Sequence, residues 1–285
     1  MGSSSPRSPL ACSKRAGNKT VWRGGRGSGA RTGKIAWLAA AALPAVLIGL
    51  WWMTTSVAHR FTANQLPPID QTWAAARELV QSGDFQRHVL ASLRRVALGF
   101  SLGIAAALPS AALVGSSRAA ERILDPTLQA LRNVPSLAWV PFMLLWLGID
   151  ELPKVTLIAI GAFFPIYVNV VAGIKRIDPK LVEVGVVFGM SRAALLFRIF
   201  LPAAAPYALT GLRIGAGQAW LFLVAAELIA STRGLGFMLI DGQNNLRPDI
   251  MIVGIVSLAL LGKLTDSALR LLEHHLISWA GEQAA

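Results

Sequence analysis

Cysteine is nearly absent: the 285 residues hold one, Cys12. A single thiol excludes an intrachain disulfide and a cysteine-built metal site. Acid is missing from a long N-terminal stretch, the first acidic residue being Asp70. Histidine is scarce, and the four present (His59, His88, His274, His275) fall outside the apolar runs or at their ends. No HExxH or GxSxG occurs, so metal-assisted and serine hydrolysis lack their residues. We therefore assign no catalytic residue and no metal ligand, and expect no cofactor. A phosphate-binding loop is missing too: before Gly33-Lys34, Ser28 stands where a first glycine is needed, and Ile35 follows where Ser or Thr would hold magnesium.

Charge is thin, at 15% of residues, against roughly a quarter in soluble domains. What fills the chain instead is apolar: 54% of residues are hydrophobic and the mean hydropathy is +0.54. The net charge of +12 does not point to nucleic acid, because the basic residues sit at the N-terminus and beside apolar runs rather than on a soluble module. That is the placement of cytoplasmic loops in membrane proteins.

The pattern divides into a basic, disordered cytoplasmic tail (1–34), a first span with an outer segment (35–84), and the main transmembrane domain (85–280). Residues 1–34 are rich in Gly, Ser, Arg and Lys and cannot bury a core. Leu10-Ala11-Cys12 lacks the preceding apolar run that a lipidation box needs. Ile35 to Val57 is uncharged and long enough for a bilayer, which takes about 20 residues. It exceeds the apolar run of a signal peptide, so it reads as a retained anchor. A short surface helix is expected over Thr72–Ser82.

Further spans are expected over Val89–Gly115, from about Pro135 to Ile149, and over Val155–Ile174, Tyr207–Ala230 and Ile250–Leu272, making six in an all-α protein. Segment 116–133 reads as a cytoplasmic loop, Asp150, Glu151 and Lys154 as a short outer turn, and Ser231–Asp249 as an outer loop. The Lys/Arg bias of the tail, the 116–133 loop and the 175–206 loop puts both termini inside.

Gly99, Gly103, Ala107, Ala111 and Gly115 recur every four residues, as do Gly211, Gly215 and Ala219. Such stripes let helices approach closely. Pro135 and Pro141 interrupt the third span, where freed carbonyls must face protein or a cavity. Ionisable residues within or beside spans are functional candidates. Arg213 and Glu227 lie near the two ends of the fifth span, with an interfacial structural role favoured over a pathway role. Arg94 and Arg95 either attract an anionic solute or hold their helix at the interface. Lys263 and Asp266 are spaced to pair on one helix face.

The stretch Glu183–Pro202, EVGVVFGMSRAALLFRIFLP, is too charged for lipid yet lies between two spans. It reads as a short amphipathic helix, a glycine turn, and a second short helix stopped by Pro202. Glu183, Gly189, Ile199, Leu201 and Pro202 match in register the cytoplasmic coupling loop of binding-protein-dependent ABC transporter permeases. That loop reads Glu-Ala-Ala, three residues, Gly, nine residues, Ile, one residue, Leu-Pro. Val184 and Gly185 replace the alanines, and Gly185 keeps the small volume.

The resemblance runs from about Phe85 to Trp279. RNVPSLAWVPFMLLWLGID (132–150), FFPIYVNVVAGIKRID (163–178) and LLGKLTDSALRLLE (260–273) resemble the aliphatic sulfonate, taurine and nitrate branch, with sulfonate permeases nearest. The resemblance implies a permease homodimer in a bacterial inner membrane, two ATP-binding subunits inside and a solute-binding protein outside. It makes Glu183, Gly185, Gly189, Ile199, Leu201 and Pro202 the ATPase-coupling residues. Pro135, Pro141, Arg213 and Glu227 remain candidates for the translocation pathway. An ion-coupled secondary transporter is the alternative; it would leave the Glu183–Pro202 pattern unexplained, and no internal repeat is seen.

Overall fold

The computed structural model describes residues 42–58 and 60–276. The basic segment 1–34 with Cys12, the start of the first span at Ile35, His59 and the residues after Leu276 lie outside the described residues. Among the described residues all regular structure is helical. The chain divides between Leu50 and Trp51 into two units. Helix α1 is Ala42–Val57, and its residues 42–50 are exposed.

The second unit carries α2 (Ile69–Ser82), α3 (Asp84–Ser116), α4 (Arg118–Asn133), α5 (Val140–Leu147) and α6 (Glu151–Lys175). After these come α7 (Pro179–Val187), α8 (Arg192–Leu195), α9 (Leu201–Ala230), α10 (Leu235–Asn244) and α11 (Pro248–Leu276). The expected surface helix near Thr72 is α2. Gly83 turns the chain from α2 into α3 with φ of 79°, a conformation that favours glycine.

Helix α6 is the centre. Its residues Ile158, Ala162, Ile166, Tyr167 and Val170 are almost wholly buried, because α3 and α9 both pack along it. Both contacts run along the small-residue stripes. A Cβ built on Gly99 would stand 2.6 Å from Ile158 Cβ, and one on Gly103 would stand 2.9 Å from both the Ala159 carbonyl oxygen and Ala162 Cβ. From α9, a Cβ on Gly215 would stand 2.9 Å from Ile166 Cγ1, and one on Gly211 2.9 Å from Asn169 Cβ. In lipid, tails are as apolar as leucine, so such close packing rather than the hydrophobic effect drives association. The outward faces carry exposed Leu90, Leu102, Leu113, Ile255, Leu260 and Leu264, the surface a lipid-facing helix presents.

Among the described residues, four helical segments are long and apolar enough to cross a membrane: Asp84–Ser116, Glu151–Lys175, Arg192–Ile229 and Pro248–Leu276. The count becomes five if the bent pair Arg118–Asn133 and Leu137–Leu147 forms one span. The expected number was six, with the first span described only from Ala42.

Several expectations need correction. Segment 116–133 is not a loop but α4, with Ser117 capping its start by accepting a hydrogen bond from the Ala120 N–H at 3.4 Å. The third span is not one helix interrupted by proline: a 3₁₀ turn over Ser136–Trp139 leads into α5, and the segment Leu137–Leu147 stands at 84° to Arg118–Asn133. Pro135 precedes that turn and Pro141 sits in the first turn of α5, where proline's missing N–H costs nothing. Glu151 and Lys154 belong to α6 rather than to an outer turn. The 231–249 loop contains α10, whose Leu235 and Met238 are buried against α3, α9 and α11.

Pro202 does not stop a helix. The chain stays helical from Arg192 to Ala230 because residues Leu196–Phe200 form a π-turn ahead of the proline. The wider turn spaces the preceding carbonyls so that the Pro202 ring fits at the start of α9.

Polar clasps complete the packing. Tyr167 donates to Asp125 at 2.8 Å, fixing α4 to α6. Arg213 reaches Asp266 at 3.3 Å and Glu273 at 3.0 Å, and Trp220 donates to Thr265 at 3.2 Å, all between α9 and α11. Lys263 lies 3.9 Å from Asp266, as their spacing suggested. Arg247 bonds Glu78 at 3.0 Å and holds its carboxyl below the usual range, first through that hydrogen bond and then through its charge.

The stripe makes a sharp expectation. Gly103→Ala should lower stability by about 1–3 kcal/mol through overpacking, read as thermal unfolding in detergent. Gly262→Ala, where an added Cβ meets nothing within 4 Å, should leave the melting unchanged or raised. Equal melting for the two variants would show that close approach does not govern the α3–α6 contact.

Candidate functional site

Two polar constellations lie at opposite ends of α6. The first follows its Lys175 end. Asp178 caps α7 by accepting from the Lys180 N–H at 2.9 Å, and Pro179 occupies the first turn. At the other end, the Met190 N–H bonds the Gly185 carbonyl at 3.0 Å and the Gly189 N–H bonds the Val186 carbonyl at 2.9 Å. That pair of bonds is a Schellman closure, which needs a left-handed residue just past the helix. Gly189 supplies it with φ of 70°. Ser191 then caps the next helix, accepting from the Ala194 N–H at 3.2 Å.

Gly185 explains itself in the same place. A Cβ there would stand 2.5 Å from Leu195 Cδ2 and 2.8 Å from Ile199 Cδ1. The two arms of the loop thus close on each other through Gly185, with Ile199 as the opposing side chain. Val184, the departure from the expected alanine, is 53% exposed, so its extra volume meets no packing constraint. Leu201 is partly buried and Pro202 exposed.

The outward face of this knob is apolar: Val186, Val187, Phe188 and Phe197 are exposed, Val187 to 85%. Glu183 is exposed on the same helix and lines a groove of about 860 Å³ together with Arg118, Glu121, Lys175, Val186 and Val187.

The second constellation gathers at the Glu151 end of α6, about 35 Å away by helix rise. Glu227 of α9 is fully buried. Its carboxylate accepts from Arg95 Nη1 at 2.7 Å, Ser92 Oγ at 2.8 Å and the Gly236 N–H at 2.8 Å. Arg95 of α3, itself 5% exposed, also makes a two-pronged contact with Glu151, Nε at 2.6 Å and Nη2 at 2.7 Å. Lys154, also buried, reaches Glu151 at 3.2 Å.

The Leu235 N–H bonds Ser92 Oγ at 2.9 Å. Ser92 and Glu227 therefore satisfy the open N–H groups at the start of α10, where negative charge is favoured. Gly234 (φ 135°) and Gly236 leave room for the carboxylate; a Cβ on Gly234 would overlap it.

The structure therefore brings Gly185 and Ile199 into contact across the turn at Gly189, with Glu183 on α7 and Leu201 and Pro202 at the start of α9. It does not bring the other sequence candidates together. Glu227 is bound into the Arg95 network. Arg213 sits in the α9–α11 clasp, and Pro135 and Pro141 flank the bend between α4 and α5. Ser92 and the pairing of Arg95 with Glu151 and Glu227 were missed in the sequence. The signal was available: opposite charges inside two different apolar segments tend to find one another.

Among the described residues, four or five long apolar helices with α6 as their buried hub, and a charged loop with an apolar tip beyond one end, define a multi-pass α-helical membrane protein. Comparison with known proteins sharpens this. Residues 99–278 match the family described as binding-protein-dependent transport system inner membrane component, and the chain belongs to that family. It is 42% identical over 243 residues to a Bacillus subtilis (strain 168) permease protein named for aliphatic sulfonates transport, covering 85% of this chain and 88% of the relative. The taurine transport system permease protein of Escherichia coli (strain K12) is 37% identical over 84% of this chain and 88% of its own length. The nitrate import permease protein of Synechocystis (strain PCC 6803) is 37% identical over 65% and 67%. The chain is thus a multi-pass inner-membrane permease component rather than an enzyme.

Removing one partner of a buried ion pair strands the other, at a cost of about 3–5 kcal/mol. Glu227→Leu alone should therefore lower the thermal unfolding temperature strongly, and Arg95→Met/Glu227→Leu together should recover part of the loss. The double-mutant cycle measures this; additive losses would show that the two groups are not coupled.

Proposed function

We propose that this chain is the transmembrane subunit of an ATP-driven importer and translocates a small anionic organic solute, an aliphatic sulfonate or taurine. A separate solute-binding protein delivers the solute from outside, and two ATP-binding subunits act from inside on a permease homodimer. The names of the relatives support this solute class, and nitrate is the second reading within the same branch. Both termini and the Glu183–Pro202 loop face the cytoplasm, in keeping with the Lys and Arg residues around that end.

The observation that carries the reading is the knob itself. Val186, Val187 and Phe188 project from a loop flanked by Lys175, Arg176, Lys180 and Arg192, too charged to enter lipid. A rigid apolar tip with Glu183 beside it is a surface for a protein groove. The ATP-binding subunit is that partner: closure of the two subunits drags α7, and the continuous Arg192–Ala230 helix carries the movement into the bundle. Gly189 sets the angle between the two arms. Pro135 and Pro141, at the α4–α5 bend, border the pathway. Glu227 and Arg213 act on the pathway through the position of α9.

The test is ATP hydrolysis and uptake in vesicles holding the chain with its ATP-binding subunits. Hydrolysis should rise on adding binding protein loaded with taurine or an alkanesulfonate, and the chain alone should show none. Gly189→Asp should abolish uptake while the protein still reaches the membrane, because a side chain resists φ of 70° and a charge spoils the apolar tip. Uptake by this chain alone on an ion gradient would replace the reading with a secondary transporter.

A further inference from the structure

Beside the Arg95–Glu227 network, at the Glu151 end of α6, lies a cavity of about 450 Å³ lined by Arg94, Arg95, Leu98, Glu151, Val155, Thr232 and Arg233, with Ala91 completing it. The volume falls in the range of small-molecule sites. Its charges are unequal. Arg95 is occupied by Glu151, Glu227 and the Arg233 carbonyl, and Lys154 by Glu151. Arg94 and Arg233 are exposed, and their side chains make no hydrogen bond or ion pair among the described residues. Four cations stand against two carboxylates, and the two uncompensated ones both line the cavity. Next to them Leu98 and Val155 form an apolar wall, and the Thr232 hydroxyl is exposed.

We propose that this cavity binds a small aliphatic oxyanion, with Arg94 and Arg233 holding the charged head, Thr232 donating to it, and Leu98 and Val155 against the carbon tail. This deepens the transport reading above, since it names a place on the chain for that solute class. Arg95 and Glu151 are positioning residues: they hold the α3, α6 and α9–α10 backbones that carry the binding groups. A guanidinium suits the task because it offers planar paired donors to an oxyanion. The apolar wall separates an alkanesulfonate from a bare inorganic anion such as nitrate.

The experiment is calorimetric titration of the full chain in neutral detergent, without ATP-binding subunits, using butanesulfonate as the probe. Nitrate and the uncharged butyl methyl sulfone are the comparators. Saturable binding of butanesulfonate is expected, weaker binding of methanesulfonate by about fourfold per methylene lost, and none of the sulfone. Arg94→Gln/Arg233→Gln should weaken binding at least about tenfold with unchanged thermal unfolding.

Undiminished binding in that variant, equal binding of the sulfone or nitrate, or no saturable heat from folded protein would each overturn the proposal. Phosphatidylglycerol at equal concentration should not displace butanesulfonate; displacement would assign the cavity to a lipid headgroup instead. The outcome separates cleanly from the coupling reading. Gly189→Asp should bind butanesulfonate normally while failing in uptake, and ion-driven uptake by the chain alone would remove the coupling reading without touching the cavity.

Discussion

The approach of α3 and α9 to α6 is the constraint on which everything else rests. Glycine backbone sits against the branched side chains of Ile158 and Ile166 in both contacts, and no atom of space is left for a larger residue. Membrane helices gain little from excluding water once inserted, so this contact must come from dispersion between closely matched surfaces. It fixes α6 as the common reference for both polar constellations. Arg95 reaches Glu151 only because α3 lies tight on α6, and it reaches Glu227 only because α9 packs against both α6 and α3.

The buried ion pair is then a consequence of packing rather than its cause. Arg95 and Glu227 are costly to desolvate, and their attraction alone does not secure a net gain. The surroundings shift the balance. Ser92, the Gly236 N–H and the start of α10 supply the remaining bonds to the carboxylate, and Glu151 with the Arg233 carbonyl supplies those to the guanidinium. A fully bonded network of this kind specifies one arrangement of α3, α6, α9 and α10, because a shift of any one leaves a charge unpaired.

Legibility in the sequence followed the range of the interaction. Gly189, Gly185 and Ile199 were readable because a turn between adjacent helices is a local matter, governed by spacing within twenty residues. The stripes were readable because a four-residue period lies within one helix, although which helix each would meet was not. The misreadings share a cause. Segments 116–133 and 231–249 looked like loops because their polarity was taken as a lack of regular structure. Yet α4 is held through Tyr167–Asp125 and α10 through Ser92 and Glu227, both contacts with residues distant in sequence. Arg95 and Glu227 lie 132 residues apart, and nothing in either neighbourhood names the other.

Pro202 shows the same limit at shorter range and leads back to how the two ends of the molecule communicate. Read alone, proline ends a helix. Here the π-turn over Leu196–Phe200 absorbs it, so the arm that begins at Ser191 continues unbroken into α9. A true break would have isolated the knob as a hinged appendage, and force on α7 would have dissipated in a flexible joint. A continuous helix instead joins Ile199, packed on Gly185, to Glu227, bonded to Arg95, through a single hydrogen-bonded rod. The π-turn and Pro206, inside α9, are the places in that rod where the backbone hydrogen bonding departs from a regular α-helix. Displacement of the loop is therefore absorbed there or transmitted whole, and the tight seam along Gly211 and Gly215 favours transmission, since α9 has no slack against α6 in which to bend.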